Sequence, residues 1–166
     1  MKDSFDDGEF LMLFSEYENE MYRIAYIYVR NEADALDVMQ EAAYRAYRNR
    51  TSLKEKKYFR TWLIRITINC AVDFIRRNSK IVDAGAEISC DKEDFRDDEA
   101  GIIRRLTLET LMNALNEDEK SVIILKYYYE YSFREIGDIL EKPLGSVKTI
   151  LYRALGKLRI KAKEAY

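Results

Sequence analysis

The 166-residue sequence contains no histidine. That inventory excludes Ser-His-Asp and Cys-His nucleophile systems and His-based zinc sites, and neither a metal nor any other cofactor is expected. There are two cysteines, Cys70 and Cys90, enough for at most one disulfide. Cys70 falls on a helix face that reads as buried, so reduced, structural thiols are expected. Long hydrophobic runs are also missing. Charge interrupts every apolar stretch well before the roughly 18 residues of a membrane span, and the opening "MKDSFDDGEF" lacks the apolar core of a secretion signal. A cytoplasmic location is expected. Pro143 is the only proline, and no Gly or Pro occurs between Gly8 and Gly85. With strand-like alternation scarce as well, the first half reads as helix throughout. Hydrophobic residues make up 48% and charged residues 35%, a balance compatible with buried cores under a solvated surface.

Three helices separate in that first half. One runs from about Glu9 to Arg30, with Phe10, Phe14, Tyr17, Met21, Ile24 and Tyr28 forming an apolar stripe. Asn31 is a candidate N-cap for the second, whose stripe reads Leu36, Met39, Ala43 and Ala46. After the polar break "NRTSLKEKK", the third presents Phe59, Leu63, Ile66, Cys70 and Phe74 on one side. From Asn78 to about Ala100 the sequence is acidic and has no helical stripe, and reads as a flexible linker.

Helical spacing resumes beyond it with Leu106, Leu111 and Leu115, then Val122, Leu125 and Tyr128. Ser132 and Glu135 form an S-x-x-E capping box that opens a short helix through Ile136, Ile139 and Leu140. Pro143 ends that helix and favours the start of the next, whose core stripe reads Leu144, Val147, Leu151, Leu155 and Leu158. Two helices joined by a tight turn make a helix-turn-helix. The outward face of the second carries Ser146, Lys148, Thr149, Tyr152 and Arg153, side chains that bond phosphates and base edges.

A net charge of -2 conceals segregation along the chain. Residues 1–44 hold 3 basic and 11 acidic side chains, 45–80 hold 11 and 2, 81–100 hold 2 and 8, and 142–166 hold 7 and 1. Two separated basic blocks suit two contacts with a polyanion, and the acidic blocks suit a different, basic partner surface. Helix two bears a polar stripe, Asp37, Gln40, Glu41, Tyr44 and Arg48, opposite its apolar one. Helix three places Trp62, Arg65, Asn69 and Arg76 away from its core stripe, and an outward Trp among cations is what a base-stacking surface needs.

The succession "DALDVMQEAAYRAYRN", "YFRTWLIRITINCAVDFIRR", an acidic linker and a helix-turn-helix closing on "GSVKTILYRALGKLR" resembles a bacterial RNA polymerase sigma factor of the extracytoplasmic-function group, sigma-70 family. The resemblance implies an all-α chain of two small domains. A sigma2-like three-helix domain (1–78) would bind the polymerase clamp and the minus-ten promoter element. A linker (79–100) would lead to a sigma4-like helix-turn-helix domain (101–166) for the minus-thirty-five element. Asp37, Gln40 and Glu41 match the family's D-x-x-Q-E, which with Tyr44 would face core polymerase. Trp62 matches the aromatic at the upstream edge of the melted bubble, and the loop from Thr51 to Tyr58, with Lys56 and Lys57, matches the segment that captures a flipped-out base. Arg60 and Arg65 join that surface, and Asn69, Asp73, Arg76 and Arg77 match N-x-x-x-D-x-x-R-R, whose cations face the DNA backbone. Ser146, Lys148, Thr149, Tyr152, Arg153 and Lys157 fall where the family faces the minus-thirty-five major groove.

Such a protein is not itself an enzyme. Its implied partners are core RNA polymerase, promoter DNA and a membrane-anchored anti-sigma factor, with no small-molecule substrate and no membrane insertion. Three departures stand out. Leu63 replaces a second tryptophan of primary sigma factors, which implies reduced melting power and stringent promoter choice. Asn116 and Lys120 replace Pro and Arg at a helix start, and Ile150 replaces a common Arg. The residues also allow a helix-turn-helix regulator that binds intact duplex without polymerase, or a helical protein-binding adaptor. The first leaves the basic block around Trp62 unused, and the second uses neither basic block.

Overall fold

The computed structural model describes residues 5–82 and 110–164, all of whose regular elements are helical. The chain divides into two compact units, Met1–Asp91 and Lys92–Tyr166.

In the first unit, α1 (Asp7–Val29), α2 (Glu32–Arg48) and α3 (Phe59–Val82) pack pairwise against one another. α1 ends where Arg30 turns left-handed (φ 58°) and its N–H reaches the Tyr26 carbonyl. Asn31 then caps α2, its side chain accepting from the Asp34 N–H at 2.9 Å, as the sequence predicts. Glu32 and Asp34 in the first turn of α2 and Arg45 and Arg48 in its last complement the helix dipole.

The stripe of α1 turns inward as expected: Phe10, Met21, Ile24 and Tyr28 are buried. That of α2 is rotated from the expected one. Its buried residues are Ala35, Val38, Ala42 and Ala46, while Leu36 is 46% exposed. Small side chains win here because they let three helix backbones approach closely, whereas ranking by hydrophobicity favours the larger Leu36 and Met39. α3 differs for a related reason. It packs on both neighbours and so buries a wide arc, comprising Phe59, Trp62, Leu63, Ile64, Thr67, Ile68, Cys70 and Ala71, not a single stripe. α3 also continues to Val82, into the stretch assigned by sequence to the linker. Cys90 and the rest of that linker, and Leu106 beyond it, lie outside the described residues.

The described part of the second unit opens with helix over 110–113 and the buried Leu115. Asn116 caps α4 (Glu117–Ile123) in a reciprocal box with Glu119, so the departure from proline at this helix start replaces one stabilising device with another. α4 then widens into a π-turn, Ile124–Tyr128. The extra residue turns Tyr127 and Tyr128 outward, each 57% exposed, although α-helical spacing from Val122 and Leu125 had put Tyr128 inside.

The Ser132–Glu135 capping box opens α5 (Phe133–Leu140), with Ile136 and Ile139 buried. Glu141, left-handed at φ 54°, ends that helix, two residues before Pro143. Pro143 instead occupies the N-cap position of α6 (Leu144–Glu164), its carbonyl accepting the Val147 N–H at 3.1 Å. The close approach in the turn belongs to Gly137. The Lys142 N–H bonds its carbonyl at 2.9 Å, and a Cβ on Gly137 would lie 2.7 Å from the Lys142 oxygen. A Cβ on Gly145 would meet nothing within 4 Å. The inward face of α6 is Val147, Leu151 and Ala154, while Leu144 is exposed and Leu155 and Leu158 are half-buried.

Candidate functional site

Three surfaces carry the predicted residues. On α2, packing of Ala35, Val38 and Ala42 leaves Asp37, Gln40 and Tyr44 exposed on the outer side, beside the exposed Leu36. Glu41 is only partly available. The Arg45 Nε donates to its Oε1 at 2.6 Å, and Arg45 Nη1 donates to Asp73 Oδ2 on α3 at 2.9 Å. Hydrogen bonds to Asp73 and then to Glu41 raise the Arg45 pKa beyond its already high ordinary value, so the guanidinium stays charged while it bridges α2 and α3. Asp73, expected at the DNA surface, is thus also a structural partner. Nearby, burial pushes the Cys70 thiol up to about 11 although Arg45 pulls the other way, which keeps it protonated and unreactive as the sequence predicts.

The second surface joins the connection between α2 and α3 to the outer face of α3. Two single 3-10 turns, Arg50–Ser52 and Lys56–Tyr58, bury none of their residues. Thr51, Lys56, Lys57 and Tyr58 are exposed, as are Arg60, Asn69, Arg76 and Arg77 on α3, with Arg65 half-buried. Several of these cations already meet carboxylates. Lys56 pairs with Glu9, Lys57 with Glu55 at 2.7 Å, and Arg60 forks onto Glu20 with bonds of 2.7 and 3.0 Å.

Trp62 corrects the sequence reading. It is 8% exposed, with its ring centroid 5.8 Å from that of Phe59, which also meets Phe5, Phe10 and Tyr17. The indole lies in the flank of an aromatic core and not among the exposed cations. One turn of α3 separates Trp62 from Phe59, and the arc that α3 buries is wide enough to take both.

The third surface is α6. Opposite Val147, Leu151 and Ala154, the side chains of Ser146, Lys148, Thr149, Tyr152 and Arg153 are all exposed. They fall on one side because residues three and four apart on a helix are neighbours. Thr149 donates its hydroxyl to the Gly145 carbonyl at 3.0 Å, which leaves its oxygen able to accept. Lys148 Nζ lies 5.7 Å from the centre of the Phe133 ring on α5.

Lys157 departs from the expectation, because its ammonium bonds Glu119 Oε2 at 2.9 Å. Glu119 is fully buried, and its Oε1 makes no hydrogen bond. Burial alone would raise the pKa of this carboxyl, but Lys157, the Asn116 N–H and the more distant Arg153 together hold it below the ordinary carboxylate value. The Asn116-x-x-Glu119 pattern that seats this group is a capping signature legible in the sequence. Its partner 38 residues on is not. Among the described residues no cluster of side chains could hold a metal ion, and no helix is long and apolar enough to cross a membrane.

Comparison with known proteins places these surfaces in a family. Residues 13–81 match the model of Sigma-70 region 2 and residues 105–158 that of Sigma-70, region 4. The RNA polymerase sigma factor SigV of Bacillus subtilis is 31% identical over 150 residues, covering 88% of this chain and 86% of that protein. The ECF RNA polymerase sigma factor SigW of the same organism is 31% identical over 166 residues, covering 93% and 89%. Among solved structures, the fold resembles the sigma factor RpoE of Bartonella quintana, in complex with the anti-sigma factor NepR, at a TM-score of 0.73 and 18% identity over 93% of this chain and 97% of that one. It also resembles CnrH, in complex with the cytosolic domain of CnrY, at a TM-score of 0.72 and 21% identity over 98% and 93%. These relationships favour neither a duplex-binding regulator that works without polymerase nor a helical adaptor.

Proposed function

The chain belongs to the extracytoplasmic-function group of the sigma-70 family, and from that premise we propose how its surfaces divide the work of starting transcription. It is an alternative sigma factor that acts with RNA polymerase. The exposed α2 face of Asp37, Gln40 and Tyr44, with Glu41 at its edge, binds core polymerase. Thr51, Lys57 and Tyr58 of the loop receive the minus-ten strand, and Asn69, Arg65, Arg76 and Arg77 carry its backbone along α3. Lys56, Arg60 and Asp73 shape this surface through their ion pairs, and Trp62 supports it from beneath. Ser146, Lys148, Thr149, Tyr152 and Arg153 enter the minus-thirty-five major groove, while Lys157 holds α6 in place.

The protein contributes no catalysis of its own. Unstacking a base costs a few kcal/mol, and a surface of cationic and aromatic groups offsets that for the right sequence, so specificity and strand opening are lent to the polymerase. The location that follows is the cytoplasm, where polymerase and promoters are. The structurally similar RpoE is held by the anti-sigma factor NepR and CnrH by the cytosolic domain of CnrY, which supports an inhibitory protein partner here. A membrane anchor for it, and its covering of the α2 face and the helix-turn-helix, are carried over from the family resemblance.

The observation that carries this reading is the exposed polar stripe of α6 directly behind a buried Val147, Leu151 and Ala154, in a capped helix-turn-helix. Transcription in vitro with core polymerase tests it. A variant with Asp37→Ala, Gln40→Ala and Tyr44→Ala is expected to melt like the parent, because exposed substitutions usually change stability by about 0.5 kcal/mol or less. It is expected to lose affinity for core. Parental affinity in that variant would remove this face from the interface.

A further inference from the structure

Part of the acidic block at the start of the chain is spent within its own unit. Three of its carboxylates reach the connection between α2 and α3 and the first turn of α3. Arg50 Nη2 meets Asp7 Oδ1 at 3.1 Å, Lys56 meets Glu9, and Arg60 meets both oxygens of Glu20. Arg50 also stacks over the Tyr47 ring at 4.1 Å, and Lys56 lies 5.7 Å from the ring centre of the buried Phe5. The segment held in this way has little else to fix its shape. Its two 3-10 turns bury no side chain, and between them Leu53, Lys54 and Glu55 have no regular structure.

We propose that Asp7, Glu9 and Glu20 are positioning residues for base selection, holding the loop from Arg50 to Arg60 in the shape that receives the unstacked minus-ten base. The proposal rests on the reading of that loop given above. Exposed ion pairs add little to the stability of a whole domain. Between Arg50 and Tyr58 no residue is buried, the nearest anchor being Phe59 at the start of α3, so a small bias toward one shape of this stretch decides how often that shape is present.

The opposite role for the carboxylates would be simple competition with DNA phosphates. The geometry argues against it. Glu20 is the least exposed of the three, its side chain only 15% accessible, and it grips Arg60 with two bonds, which is a fixed seat and not a displaceable counter-ion. Thr51, Lys57 and Tyr58 remain exposed on the loop while Arg50, Lys56 and Arg60 are held. Promoter stringency is then set in part from α1.

The test compares the full chain with a Glu9→Gln, Glu20→Gln variant and with a Glu16→Gln, Glu18→Gln control, which removes the same charge from exposed positions of α1. Amide hydrogen exchange without DNA reads the loop directly. Faster exchange is expected over residues 50–58 in the first variant alone, with the interior of α3 unchanged. In holoenzyme, binding of minus-ten single strands with one base changed at a time reads selection. The ratio between best and mismatched strands is expected to shrink by about fivefold, the scale that two exposed pairs can supply. Unchanged loop exchange would overturn the proposal. So would equal effects from the control, or a uniform gain for every strand at a constant ratio, since each would reduce the carboxylates to net charge. A loosened loop with intact discrimination would overturn it differently, by showing that this loop does not select the base.

Discussion

Lys157, on the far half of α6, reaches Glu119 in the first turn of α4 at 2.9 Å, and the carboxylate it meets is fully buried. One carboxylate thus closes the N-terminus of α4 through the Asn116 N–H and fixes α6 through Lys157. The helix that presents Lys148, Thr149 and Arg153 is held by an ion pair as well as by Val147, Leu151 and Ala154.

Removing the cation is expected to be worse than removing the charge. Lys157→Met leaves a buried carboxylate without its partner and is expected to cost about 1 to 3 kcal/mol. Glu119→Gln keeps an oxygen for the cap and is expected to cost less. Because the folded pKa of Glu119 lies below its ordinary value of 4.5, its contribution is complete above that pH and is lost as pH falls through the lower folded value. Urea melts of both variants between neutral and acid pH check this. A Glu119→Gln protein whose stability falls with acid as steeply as the parent's would show that this group is not the one responsible.

Trp62→Ala is expected to destabilise the first unit by about 3 to 5 kcal/mol, the usual cost of removing a buried Trp. Trp62→Phe keeps a ring against Phe59 and is expected to cost less. If Trp62→Ala melts like the parent yet opens promoters slowly, and a pre-melted bubble restores it, the indole acts on DNA and contributes little to the core.

The two glycines of the helix-turn-helix are expected to respond in opposite directions. Gly137→Ala drives a Cβ to 2.7 Å from the Lys142 carbonyl oxygen, so the turn must shift and the second unit loses stability. Gly145→Ala meets nothing, lies in the first turn of α6, and is expected to be neutral or to stabilise by up to about 1 kcal/mol. Thermal melts of the pair decide it. Equal losses would mean that the turn is not set at Gly137.

Lys148→Ala and Arg153→Ala are expected to differ in their effect on minus-thirty-five binding by holoenzyme. Loss of a phosphate contact weakens all sequences alike and lowers the salt slope by about one, and this is the expectation for Arg153. Loss of a base contact costs roughly 1 to 3 kcal/mol at one position and relaxes choice there, as expected for Lys148 with Thr149. A salt series on single-base promoter variants separates them. No change in either variant would keep α6 out of the groove.

What the sequence determined by itself is what depends on residues within one or two helical turns of each other. The stripe of α1, the Asn31 cap and the Ser132–Glu135 box were legible for that reason, as was the polar stripe of α6, since 3.6-residue periodicity and capping are local interactions. Tertiary structure decided the rest. Which face of α2 turns inward depended on how closely two other helices approach, and the small Ala35, Val38 and Ala42 fit there better than Leu36. Trp62 is buried because α3 has two neighbours, which no single-helix pattern records. The π-turn that exposes Tyr128 adds one residue to the helical count. The pairing of Arg60 with Glu20, Arg45 with Asp73 and Lys157 with Glu119 joins charges on different helices. The sequence places Arg60, Asp73 and Lys157 toward DNA and gives no sign of these partners, because the partner of a charge is fixed by the packing that brings two helices together and not by its neighbours in the chain.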